Sequence, residues 1–192
     1  MLSESSILAA TAAGELCIDP FHRAQLRSAS YVLRLGTRFR RWKMGGEPIL
    51  VWSPNAADEA LSEPFEAHHI ELQPNEFVLA TTLERIGLSE AFAGAVSPLS
   101  HVARFGLSIN QGADLINPGF GLGSPASLTL ELVNHNCRSL VLMPGMPIAH
   151  LRLIHLKDVK SERVRRSVYD GADPVISPKL YEEWHAIVGG GK

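Results

Sequence analysis

The 192-residue sequence has two cysteines, little net charge and no apolar run long enough to cross a bilayer, and each shortage removes a class of protein. Cys17 and Cys137 are far apart and neither belongs to a Cys-x-x-Cys pair. That argues against a disulfide scaffold and a zinc site, and it fits a reducing compartment. A formal net charge of −2 leaves no broad positive field for nucleic acid, so an anionic ligand would have to be held by a few local cations. The N-terminal MLSESSILAATAAGELC lacks the basic start of a secretory signal. The expectation is a cytoplasmic protein that takes neither membrane nor nucleic acid as a partner. Also missing are the Gly-x-x-x-x-Gly-Lys-Ser/Thr phosphate loop and the Gly-x-Ser-x-Gly nucleophile elbow, which excludes P-loop hydrolases and α/β-hydrolases. A zinc-dependent nucleobase deaminase needs His-x-Glu and Pro-Cys-x-x-Cys; His69–Glu71 supplies the first by chance, and nothing supplies the second.

What is present reads as a barrel. With 45% hydrophobic and 20% charged residues, the chain can bury a real core as one domain. Ser3–Ala13 predicts a short amphipathic helix, with Ser3 or Ser5 as N-cap and Gly14 just past its end. There follow short runs punctuated by Gly, Pro, Asn and Asp: CIDP, SYVLRLG, PILVW, HHIELQP, FVLATTLE, FAGAVS, FGLSIN, ASLTLELVN, SLVLMPG and PIAHLRLIHL. Many short strands with few helical patterns between them indicate an all-β barrel or jelly roll. PLSHVARFG predicts one interior helical turn that starts at a proline and ends at Gly106. From Lys157 the chain becomes charged, carries two prolines and finishes as a short helix before GGGK. The predicted organisation is a barrel domain over 1–156 and a C-terminal arm or lid, leaving the barrel, over 157–192.

Taken singly, the polar residues have plain readings. In SLTLELVN, alternation sets Leu128, Leu130 and Leu132 on one face and Thr129, Glu131 and Val133 on the other, so Glu131 alone would be a residue of a solvated sheet face. Arg104 alone would be a surface ion-pair partner, Ser100 a polar residue in a helical turn, His150 a surface or core imidazole, and Asn117-Pro118-Gly119 a β-turn.

Together they form an ordered set of blocks: S-x-x-A-R-F-G-L, I-N-P-G-F, L-T-L-E-L and L-x-P-G-M-x-I-A-H-L, preceded by SASYVLRLG and FVLATTLERIGLSEAFAGAVS. This order and spacing, from about Leu2 to about Leu156, resembles the dCTP deaminase family within the trimeric dUTPase superfamily. The resemblance implies a dUTPase-like β-barrel of jelly-roll type, assembled as a homotrimer or a dimer of trimers with active sites between subunits. It implies deamination of dCTP to dUTP and ammonia with no catalytic metal, magnesium arriving on the triphosphate. One shielded carboxylate can take the proton of the attacking water and return one to the base, and Glu131 stands in that place. Ser100 stands where the family's serine holds the water and contacts phosphate, and Arg104 where its arginine faces base and phosphates. The implied substrate-binding set is Asn117, near the sugar 3′-hydroxyl, with Ala113, Asp114, His101, Tyr169 and Lys179, and with Arg165 and Arg166 in reserve on the arm.

Departures from the family pattern bear on the phosphates. Pro98-Leu99 replaces its Gly-Arg, removing a bidentate phosphate clamp. His101 replaces a second serine, Asn117 and Val32 each replace an aspartate, the turn GFGLGSPAS before Glu131 is longer, and the arm lacks a glutamine. Two other readings stay open: a catalytically silent trimer that binds nucleotide or acts as a sensor, and a dUTP diphosphatase, which would need an aspartate where Asn117 stands.

Overall fold

The computed structural model describes residues 1–157, 169 and 174–188. Ser3 caps helix α1 (Glu4–Ala12), its hydroxyl accepting the Ser6 N–H at 3.3 Å, and the chain leaves the helix through Gly14 at φ +73°. Ile7 and Ala10 are buried, and the Leu2 N–H donates to the Leu153 carbonyl at 2.7 Å, pinning the helix to the barrel.

Twelve strands follow: β1 (Leu16–Asp19), β2 (Leu26–Arg27), β3 (Ser30–Arg41), β4 (Phe65–Glu66), β5 (Ile70–Leu72), β6 (Phe77–Leu88), β7 (Phe92–Pro98), β8 (Leu107–Ser108), β9 (Leu115–Ile116), β10 (Ala126–Asn134), β11 (Leu140–Leu142) and β12 (Pro147–His155). Helix α2 (Ser100–Arg104) lies between β7 and β8, and α3 (Leu180–Val188) near the C-terminus. The main sheet is antiparallel and curled, in the order β8-β10-β6-β3-β12-β7-β9, while β11 and β5 form a separate pair. This is a β-dominated architecture built on a curled antiparallel sheet, with the short N-terminal and internal helices where the sequence puts them.

The curl depends on β3, which belongs to both walls. Its first half (Tyr31–Arg34) pairs with β12 and its second (Leu35–Arg41) with β6, with an irregular register between Leu35 and Phe39. Gly36 stands at this corner. A Cβ there would collide with the Thr81 hydroxyl and lie 2.9 Å from the Thr82 carbonyl oxygen, so only glycine lets the strands approach so closely. Tyr31, Leu33, Leu35 and Phe39 fill the interior with Ile86, Leu88, Leu130 and Leu132.

One predicted strand is absent. Pro48–Trp52, the PILVW run, is an exposed loop followed by turns, and Ile49, Leu50, Val51 and Trp52 all face solvent. The run sits between Gly45-Gly46 and Ser53-Pro54-Asn55, Asn55 taking φ +56°, and the prolines at its ends withhold ladder donors. Four apolar residues in a row did not make a strand because nothing pairs with them.

Residues 174–177 of the C-terminal region pack on the barrel. Val175 is fully buried among Ala57, Leu61 and Leu79, with Trp42 and Phe77 beside them; the Thr129 hydroxyl donates to the Pro174 carbonyl, and the Ser177 hydroxyl to the Asp58 carboxylate. Val175→Ala is expected to lower stability by about 1–3 kcal/mol, read as a shifted urea midpoint at unchanged slope.

Candidate functional site

Strand β10 alternates as its sequence predicts, with Leu128, Leu130 and Leu132 buried and Glu131 half-buried on the other face. Glu131 sits where the two ends of the curled sheet meet. Its backbone N–H donates to the Ile109 carbonyl at 2.7 Å and it bridges Asn110, whose side-chain amide donates to the Val96 carbonyl of β7 at 2.8 Å. The chain then turns at Gln111 (φ +41°) and Gly112 (φ +88°), and the Gln111 side chain reaches the Glu131 carbonyl at 3.5 Å. Two strand edges are thus held together around one acid, by main-chain bonds and by the Asn110 side chain.

Burial raises the pKa of the Glu131 carboxyl above its ordinary value, and desolvation is the cause. Among the described residues no hydrogen bond or ion pair reaches that carboxyl group. It therefore keeps its proton to higher pH than an exposed glutamate, a shift in the direction that suits a carboxyl group acting as both acid and base.

The other predicted residues are distributed around this seam. Buried Val102 anchors α2, leaving Ser100, His101 and Arg104 exposed. The helix is entered from Leu99, not from Pro98, and ends before Gly106 at φ +77°. It leads directly into β8, whose Ser108 pairs with Val133, two positions from Glu131. Ala113 donates its N–H to the Asn110 carbonyl at 2.7 Å, and the Asp114 carbonyl accepts from the Val96 N–H at 2.9 Å, so both lie in the loop that closes the seam. The Asp114 carboxylate is 3.8 Å from Arg152, both side chains being solvent-exposed, a pair of little energetic weight.

Asn117 is exposed beyond β9, on the β7 edge of the sheet. The long turn after it lies along the β6–β7 corner, the Leu88 N–H donating to the Phe120 carbonyl at 2.8 Å. Gly121 (φ +61°) presses on the Ile86 carbonyl there, leaving no room for a Cβ. Among the described residues, no hydrogen bond or ion pair joins the Glu131 carboxyl to Ser100, Arg104 or Asn117.

On the arm, the hydroxyl of exposed Tyr169 accepts the Lys179 N–H at 2.8 Å. Arg165 and Arg166 lie outside the described residues. Val175 touches Leu79, the cross-strand partner of Glu131, and directly paired residues share a face. The arm therefore reaches the side of the sheet that carries the acid.

Two residues were missed by the sequence reading. Asn110 locks the seam through its side chain, yet NQG announces only a turn. Glu84 is fully buried and accepts from the Arg34 Nε at 2.6 Å, the Arg34 N–H at 2.8 Å and the Gln25 amide at 2.8 Å. Alternation from Thr82 to Ile86 could have found it, as an acid on the inward face of an apolar strand. Among the described residues no group of three or more His, Cys, Asp or Glu side chains could hold a metal ion, and no helix is long and apolar enough to cross a membrane.

Against known proteins, a family model described as dCTP deaminase-like matches residues 1–156. The chain is 35% identical over 157 residues to a protein of Mycolicibacterium vanbaalenii named dCTP deaminase, dUMP-forming, covering 81% of this chain and 80% of that one. It is 31% identical over 192 residues to a protein of the same name from Salinispora arenicola, covering 96% and 97%. The fold is similar to that of a 2'-deoxycytidine 5'-triphosphate deaminase from Agrobacterium tumefaciens, with a TM-score of 0.60 at 20% identity. That match covers 79% of this chain and 47% of the other, so the chain spans about half the length of that relative.

Proposed function

Because the chain belongs to the dCTP deaminase-like family of nucleotide enzymes, we propose that it deaminates a deoxycytidine nucleotide, converting dCTP and water to dUTP and ammonia. The observation that carries this reading is the half-buried Glu131 carboxyl, its pKa raised, at the closure of the sheet.

As the water oxygen bonds to C4 of cytosine, Glu131 takes the water proton and passes it to N3. The remaining hydroxyl proton then leaves with the exocyclic amino group as ammonia, and C4 becomes a carbonyl. No protein-bound metal is required; magnesium would arrive on the triphosphate as part of the substrate. Ser100 would hold the attacking water, and Arg104 would face base and phosphates. His101, Ala113, Asp114, Asn117, Tyr169 and Lys179 would line the nucleotide.

A site shared between copies, as in a homotrimer or a dimer of trimers, accounts for the absence of bonds within one chain between Glu131 and Ser100 or Arg104. The relatives are named dUMP-forming, and a further loss of pyrophosphate from dUTP to give dUMP is a proposal for this chain too. Asn117 supplies no carboxylate to orient a water toward phosphorus.

A second reading, a nucleotide-binding or sensor trimer without turnover, is favoured by Leu99, an apolar residue at the entrance to α2 where a phosphate clamp would stand. Incubation with dCTP, CTP, dCMP and dUTP, scored separately for ammonia and pyrophosphate, tests all of these. Ammonia from deoxycytidine nucleotides is expected. Pyrophosphate from dUTP alone would make the protein a dUTP diphosphatase, and neither product from a protein that still binds nucleotide would make it a sensor.

A further inference from the structure

The C-terminal helix lies beyond the residues that the family model matches, and it is amphipathic with its apolar side uncovered. In LYEEWHAIV, Leu180, Trp184 and Ile187 fall at i, i+4 and i+7, with Tyr181 and Val188 flanking them on one side, Glu183 bordering the stripe on the other and Glu182 on the far face. None of its residues is buried: Leu180 and Trp184 are each 48% exposed and Ile187 64%. A nine-residue helix is marginal in water by itself and depends on a surface for its apolar face. Its own barrel does not supply one. Ser177 is buried and bonded to Asp58, leaving only Pro178 and Lys179 before the helix, so α3 is held where its stripe faces solvent.

A matching surface exists elsewhere on the chain. Between α2 and β11 lies a groove of about 390 Å³ lined by apolar side chains, among them Leu99, Val102, Phe105, Leu107, Val141 and Met146. Phe105 is 64% exposed and Val141 61%, an open apolar patch of the kind that marks an interaction site. Exposed Arg104 at the end of α2 and exposed Arg138 in the turn before β11 are opposite in sign to Glu182 and Glu183.

We infer that α3 of one copy seats its Leu180–Trp184–Ile187 stripe in the groove between α2 and β11 of a second copy, by the helix-in-groove mode of recognition. The two surfaces agree in apolarity and differ in charge sign, and within one chain the stripe lies exposed while the groove stays open. The groove shares His101 with the proposed nucleotide-binding set, but its test reads a contact between copies rather than turnover, so the two readings fail separately.

Full-length chains carrying Val188→Cys or Tyr181→Cys, mixed with chains carrying Val141→Cys, all in a Cys137→Ser background, test it under mild oxidation. The expected result is a disulfide between unlike chains that is lost when Ile187→Glu is added to the helix-bearing chain. No such pair from either helix position, or a pair indifferent to Ile187→Glu, overturns the inference. So does a bond within one doubly substituted chain whose yield does not change on dilution. Hydrogen exchange gives a readout free of cysteine chemistry: amides of residues 140–142 should exchange about tenfold faster in Ile187→Glu than in the unsubstituted protein. Equal exchange would mean that something other than α3 covers the groove, or nothing does.

Discussion

Glu131→Gln is expected to cut ammonia release from the preferred nucleotide by about a hundred- to ten-thousand-fold while leaving nucleotide affinity within a small factor. Glutamine keeps the size and one acceptor of the side chain but cannot take a proton from water. The loss should therefore fall on kcat rather than KM. The unsubstituted enzyme should gain activity with rising pH through a limb displaced above the ordinary glutamate range, because burial raises this pKa and the ionised form is the base. Stability should move the opposite way. An acid whose pKa is higher folded than unfolded stabilises the fold below its unfolded pKa, and that contribution is lost as pH rises through the folded value. Thermal melts should show Glu131→Gln equal to or above the unsubstituted protein near pH 7, with the advantage gone below the ordinary glutamate range. A variant with full activity would remove Glu131 from the chemistry, and one that is inactive and also less stable near pH 7 would make the acid structural.

The largest loss of stability is expected from Glu84→Ala, about 3–5 kcal/mol by urea denaturation. This carboxylate has no exposure and accepts three bonds, from the Arg34 guanidinium, the Arg34 main chain and the Gln25 amide. Among the described residues one guanidinium nitrogen of Arg34 is already buried without a partner, so the arginine depends on this acid. Alanine would strand the charge and the Gln25 amide together. Glu84→Gln, which keeps acceptors but not the charge, should lose less.

How much was legible in the sequence follows from how local each cause is. The Ser3 cap, the exit at Gly14, the Gly106 stop and the alternation of β10 are decided within a turn or a strand, and all stand as read. PILVW was misread because an apolar run does not disclose whether a neighbour pairs with it. The face of Glu131 could be read from period two, but its burial could not, since Ile109–Gln111 reach it from across the sheet. Val175 was equally invisible, a lone apolar residue in a charged region whose pocket is assembled from β3, β6 and the loop between them. The ordered blocks supplied the family, which no single residue could.

The corner at Gly36 has a consequence for how the molecule comes apart. A strand belonging to both walls cannot be freed from one and kept by the other, so neither wall can act as a separate cooperative unit. Opening should be global, with amides deep in β10 and β12 sharing a single protection free energy, while the exposed loop around Trp52 opens locally.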